Sequence, residues 1–100
     1  MKYYLVTILA LLALSGCAAQ LTEQGRMVRE VQPDWSTRCE HLGAIEASEG
    51  NGLDIPDDRR GALNRIRNQV ANLGGNAFVI NQSSSNEIRT LIQADAYKCR

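Results

Sequence analysis

Leu63, Ile66, Val70 and Leu73 recur at spacings of three, four and three, which sets them on one side of an α-helix with Ala62 beside them. Arg65, Asn68, Gln69 and Asn72 fall on the other faces. Asp57 and Asp58, just after Pro56, supply an N-terminal cap and negative charge for the positive end of the helix dipole. Gly74 ends the segment, since a left-handed C-terminal cap costs glycine little, and Gly75 completes the turn. The helix is expected over about residues 57–73. Gly61 is its one poor fit, costing up to about 1 kcal/mol relative to alanine inside a helix. A single helix of this kind can cover only one face of a small sheet.

Strand signals lie on both sides of it. Arg26 to Val31 is rich in Val and Met and stops before Pro33, giving a short first strand. Cys39 to Ala47 carries Leu42, Ala44 and Ile45 and gives a second, with Gly43 as a bulge or a point of close backbone approach. Ser48 to Leu53, containing Gly50-Asn51-Gly52, reads as a loop. Ala77-Phe78-Val79-Ile80 is a short apolar run of the buried-strand type. Ser83-Ser84-Ser85-Asn86 reads as a hairpin loop, and Ile88 to Cys99 returns with Ile88, Thr90, Ile92, Ala94 and Ala96 on one face. The order is β-β-α-β-β, and the expected fold class is α+β, a two-layer domain with one amphipathic helix on a small sheet.

The amino terminus carries an address. Lys2 is followed by an apolar stretch from Tyr3 to Leu14 and then by Leu14-Ser15-Gly16-Cys17, a pattern that resembles a bacterial lipobox. The resemblance implies that a diacylglyceryl group is attached to the Cys17 thiol, that residues 1–16 are removed as a signal peptide, and that the freed amine is acylated. The apolar stretch is shorter than the roughly 20 residues of a membrane-spanning helix, so attachment is expected through the lipid, with two or more chains holding stably. Ala18 stands where an Asp commonly marks inner-membrane retention in such lipoproteins, which points to the outer membrane, facing the periplasm. Residues 17–25, small and polar, read as the lipidated end and a flexible tether. Removing 16 residues from 100 leaves 84, room for one core, and residues 26–100 read as that one small, soluble domain.

Lys and Arg number 11 and Asp and Glu number 11, and the arginines are scattered among carboxylates, so nucleic-acid binding is set aside. With Cys17 used by the lipid, Cys39 and Cys99 form an even pair in an oxidising compartment, and the simplest reading is a disulfide. Closing a loop of about 60 residues would stabilise so small a fold by roughly 4 kcal/mol in the chain-entropy model. The bond would also set the second and last strands side by side.

Cys39-Glu40-His41-Leu42-Gly43, the helix closing in Leu73-Gly74-Gly75-Asn76-Ala77, and Ala96-Tyr97-Lys98-Cys99 at the end together resemble the YjeI-type small lipoproteins of enterobacteria, a family defined by its unknown function. The match covers about Val28 to Cys99. A more distant similarity reaches RcsF-type outer-membrane lipoproteins, which signal envelope stress and are held by disulfides. These resemblances imply the fold, the cysteine pair and an envelope setting. RcsF has a longer proline-rich tether and further cysteines that this chain lacks, so signalling is not carried over.

Other chemistry is poorly supported. Cys39, His41 and Cys99 could be read as three metal ligands with an open position, but no C-x-x-C or H-x-x-x-H spacing is present and an oxidised pair cannot ligate. His41, the only histidine, reads as a half-buried strand residue, since no Ser or Asp stands beside it in a catalytic spacing. Gly74-Gly75 closes a helix instead of opening one, which argues against a phosphate loop. Asp54, Asp57 and Asp58 lack the calcium-loop spacing and its final Glu. Trp35 and Tyr97 are expected in the core or half-buried, with a partner surface as the alternative. Asn81-Gln82-Ser83 matches a glycosylation sequon, which is uninformative in a bacterial setting.

The expected function is therefore a non-enzymatic, lipid-anchored binding or envelope-homeostasis module, without cofactor, metal or catalytic residues, acting on an envelope protein or on peptidoglycan. The alternative is a redox-responsive or stress-sensing module resembling RcsF, with Cys39 and Cys99 opening and closing.

Overall fold

Asp54 opens the helix, not Asp57 or Asp58. In the computed structural model, which describes residues 20–50 and 54–100, Asp54 is extended and its Oδ1 accepts from the Asp57 N–H at 2.9 Å. Pro56 sits in the first turn, where its missing N–H is harmless. The helix, α1, runs Ile55–Asn72 and buries Asp58, Ala62, Ile66 and Val70. It ends at Asn72, and Leu73, the C-cap with its N–H still on the Gln69 carbonyl at 3.1 Å, has its side chain exposed instead of joining the apolar side. Gly74 takes a positive φ of 83° and the Gly75 N–H returns to the Val70 carbonyl at 2.9 Å, closing the terminus. Gly75 has a second reason to be glycine: a Cβ there would lie 2.7 Å from the Tyr97 carbonyl oxygen and 2.8 Å from a Leu42 methyl.

Four strands form one mixed sheet: β1 (Arg29–Glu30), β2 (Glu40–Gly50), β3 (Ala77–Ser85) and β4 (Arg89–Lys98), in spatial order β1-β3-β4-β2. β4 runs antiparallel to both β2 and β3, and β1 runs parallel to β3. The fold is α+β with the element order β-β-α-β-β. Val28, Ala47, Ala62, Ile66, Val70, Phe78, Ile92, Ala94 and Ala96 form the core between α1 and one face of the sheet. Small alanines on β4 and β2 let the helix come close, while Phe78 and the isoleucines fill the volume.

Several boundaries differ from those the sequence suggests. The first strand is only two residues long, because Gly25–Met27 makes a 3-10 turn against α1 before the chain reaches β3. β2 continues to Gly50, paired through Glu49↔Thr90 and Gly50↔Arg89. β3 continues through the serines to Ser85↔Thr90, and the hairpin turn is Asn86 to Ile88. There Asn86 Oδ1 accepts from the N–H groups of Ile88 and Arg89 at 2.8 and 2.9 Å, an Asx turn that frees the serines to pair. Ile88 is consequently exposed in the turn, while Thr90, Ile92, Ala94 and Ala96 are buried as one face.

The segment read as a tether also differs. Residues 17–19 lie outside the described residues, but from Gln20 onward the chain is fastened to α1. Asn68 Nδ2 donates to the Gln20 carbonyl at 2.8 Å, and Asn68 Oδ1 accepts from Thr22 N–H and Oγ1 at 2.9 and 3.0 Å. Gly25 is buried beside that amide, with its N–H on Thr22 Oγ1 at 3.0 Å. One side-chain amide thus serves both a donor and an acceptor of a passing backbone, and polar composition without periodicity gave no hint of it.

Candidate functional site

The helix covers one face of the sheet, and side chains alternate between faces along each strand. The pairing register places Ala77 and Val79 of β3, Leu91, Gln93, Asp95 and Tyr97 of β4, and Ala44, Glu46 and Ser48 of β2 on the opposite, open face, with His41 opposite Tyr97.

Two β-bulges shape the middle of that face. In β2 the register slips between His41 and Gly43, where Gly43 has a φ of 152°. In β3 it slips between Ile80 and Gln82, leaving Asn81 as the extra residue. A bulge re-aims the side chains at its edge, and both converge on Asp95 of the strand between them. Asn81 Nδ2 donates to Asp95 Oδ2 at 2.7 Å, and His41 Nε2 lies 3.0 Å from Asp95 Oδ1. A carboxylate can only accept, so the His41 proton resides on Nε2, leaving Nδ1 as the acceptor of the neutral ring. The Tyr97 ring meets His41 edge to face at 5.2 Å. Hydrogen bonds from His41 and then Asn81 hold the Asp95 carboxyl below the usual carboxylate range, against an opposing contribution from burial. Next to this trio, Gln93 Nε2 donates to Glu46 Oε2 at 3.1 Å, and Ala44, Glu46, Asn81 and Gln93 line a shallow depression.

The result is a rigid, polar platform crossing three strands. It presents acceptors and donors side by side on the open face. An Asp–His pair also orients the base in hydrolases; here the His41 side chain is more than half exposed to solvent.

Cys39 and Cys99, separated by 60 residues, are joined at the end of the sheet where β2 begins and β4 finishes. They engage each other and His41 engages Asp95, so the three-ligand arrangement is not assembled. Among the described residues no group of three His, Cys, Asp or Glu side chains is placed to hold a metal ion. Asp54 caps the helix and Asp58 is buried. Trp35, expected in the core or half-buried, is 56% exposed on a six-residue 3-10 helix, Pro33–Arg38, whereas Tyr97 is half-buried on the open face. His41 is exposed on its strand instead of half-buried. Cys17 and the apolar stretch before it lie outside the described residues, and among the described residues no helix is long and apolar enough to cross a membrane. Asp95, Gln93, Glu46 and, as a site residue, Asn81 escaped the sequence reading. The only available signal was an asparagine following an apolar strand, which marks a bulge no better than it marks a turn.

A family described as a domain of unknown function, DUF4156, matches residues 19–99. The chain belongs to the DUF4156 family. Similar proteins include the uncharacterized protein YjeI of Escherichia coli K12, 29% identical over 112 aligned positions that cover 98% of this chain and 96% of the relative. The YjeI proteins of Escherichia coli O6:H1 and Shigella flexneri match to the same extent. No solved structure matches the chain significantly. The DUF4156 match spans the strands and the helix of the described residues and the Asp95 platform.

Proposed function

We propose that this DUF4156 protein is a lipid-anchored, non-enzymatic binding module of the bacterial envelope, cut before Cys17, acylated there, and carried on the periplasmic side of the outer membrane. The reading is supported by the apolar segment ending in Leu14-Ser15-Gly16-Cys17 and by the pairing of the remaining cysteines, which suits an oxidising compartment. The observation that carries the binding role is the open sheet face, where two bulges aim His41 and Asn81 at Asp95 beside a shallow depression. Bulges are local costs to a sheet, and their convergence on one carboxylate favours a recognition surface over mere solvation. The partner would be an envelope protein or the peptide or sugar part of peptidoglycan.

A photo-crosslinking residue placed at Ser84 or Ser48 of the open face should capture a defined envelope component, and one placed at Asn72 of the helix should not. Equal capture from both surfaces, or none from either, removes the binding role. Mass spectrometry of the amino-terminal peptide should find an acylated Cys17, and an unmodified, uncleaved terminus removes the anchor.

A redox-responsive role, similar in logic to RcsF, is favoured by one feature. Cys39 and Cys99 are only half-buried at the sheet's end, and Cys99 lines an open hollow there. A potential well above about −300 mV would support that reading, and a lower one would assign the bond to structure alone.

A further inference from the structure

Only Ala18 and Ala19 separate Cys17 from Gln20, and Gln20 is already fastened to α1 through Asn68. Even fully extended, that span reaches only about 10 Å. An acylated Cys17, which the anchor reading supplies, would therefore hold the domain against the bilayer instead of letting it range on a leash. The chain continues from the Asn68 clasp through the turn Gly25–Met27 to the β1 edge of the sheet. At that edge Met27 is 77% exposed and Trp35 56%, the two most prominent apolar side chains of one open hollow of about 300 Å³. Arg29 and Arg100 line the same hollow, no acidic side chain does, and Arg38 adjoins it beside Trp35 and Asp34. An exposed tryptophan and methionine flanked by three arginines against one aspartate have the chemistry of a membrane-interface contact, with the aromatic ring at the depth of the headgroups and the cations on anionic phosphates.

We propose that the β1 edge, built from Met27, Trp35, Arg29, Arg38 and Arg100, lies on the surface of the bilayer that holds Cys17 and contacts anionic phospholipid. The docked edge fixes the domain's orientation and leaves the Asp95 platform accessible on the open face. A short tether and an amphipathic edge act together: the first raises the local concentration of bilayer at the edge and the second selects one orientation.

Trp35 is the single tryptophan, so its emission reports this edge in the native chain. The processed full-length protein is reconstituted into phosphatidylethanolamine–phosphatidylglycerol vesicles carrying brominated acyl chains and separated by flotation. Floated protein is expected to show a blue-shifted Trp35 emission that bromine quenches. That quenching should be lost in Met27→Asp, weakened in Arg29→Glu, and reduced when salt near 1 M shortens the screening length to about 3 Å. Both positions are exposed, so the variants keep the fold, and an intact Cys39–Cys99 bond checks this. Floated protein whose Trp35 is unquenched overturns the docking alone and gives the edge to water or a protein partner. Quenching indifferent to both substitutions overturns the assigned edge. Protein that fails to float overturns the anchor reading, and the docking with it.

Discussion

Asn81 donates its side-chain amide to Asp95 Oδ2 at 2.7 Å because Asn81 is the extra residue of a bulge in β3, turned toward the open face between the pairs Ile80↔Ala94 and Gln82↔Gln93. His41 meets the other oxygen of the same carboxylate from beside a bulge on the far strand. The direct ladder partners of Asp95, Ala44 and Val79, cannot satisfy it. The two irregularities create the polar centre of the face.

That arrangement makes stability depend on acid. Because the folded state holds the Asp95 carboxyl below its ordinary value of 3.8, the ionised form is favoured by folding. The associated stability is complete above the unfolded value and is lost as pH falls through the lower folded one. Urea unfolding from about pH 7 to about pH 2 should therefore fall less steeply below about pH 4 in Asp95→Asn than in the parent. Parallel curves would contradict this account of the trio.

Substituting Asn81 by alanine removes one donor from a partly buried carboxylate. A loss of about 1 kcal/mol is expected, together with a rise in the Asp95 pKa measured by carbon-detected NMR titration. A variant with an unmoved Asp95 titration would show that His41 alone holds the carboxylate.

Gly61 is the poor fit of an otherwise regular helix, and β2 explains it. A Cβ at Gly61 would fall 2.6 Å from Glu49 Cγ, whose carboxylate is paired with Arg65 one turn along. Gly61→Ala should destabilise the chain by about 1 kcal/mol or more, opposite in sign to the usual helical exchange. In the Glu49→Ala background the same substitution should become neutral or stabilising, and a thermal-unfolding double-mutant cycle measures the difference.

Asn68→Ala should release the segment before Gly25. The clasp comprises three hydrogen bonds from one amide, so a loss of about 1–2 kcal/mol is expected. Amide exchange should accelerate at Thr22 and Gly25, whose N–H groups bond within this clasp, while the core strands keep their protection. Unchanged exchange at those two amides would mean that the turn Gly25–Met27 secures the segment without Asn68.

Replacing Cys39 and Cys99 by serine opens a loop spanning 60 residues. The chain-entropy model expects a loss of roughly 4 kcal/mol, seen as a lower urea midpoint with nearly the same folded-state circular dichroism. A much smaller loss would indicate that β2–β4 pairing already orders those ends in the unfolded chain.

Much of the fold is legible along the chain because helical and strand periodicities are local. The 63, 66 and 70 spacing marks the buried side of α1, Gly74 and Gly75 mark its end, and the alternation from Thr90 to Ala96 marks the buried face of β4. Gly43 signals its bulge because a positive φ favours glycine. Boundaries are less legible: Leu73 continues the spacing of the apolar side but lies past the last helical residue, and the serines after Ile80 look like a loop until Asn86 is seen to make the turn.

By itself, the order of residues determined the class of fold, the single helix and which side of it is buried, since each follows from neighbours a few positions apart. Only the tertiary structure decided that Asn81 and His41 share Asp95, that Gly61 makes room for Glu49, and that Asn68 grips the backbone at Gln20. Those relations join residues 12 to 54 positions apart in the chain, and their geometry depends on strand register and on two one-residue bulges. A slip of one residue turns a side chain from one face to the other, so no local pattern could have specified them.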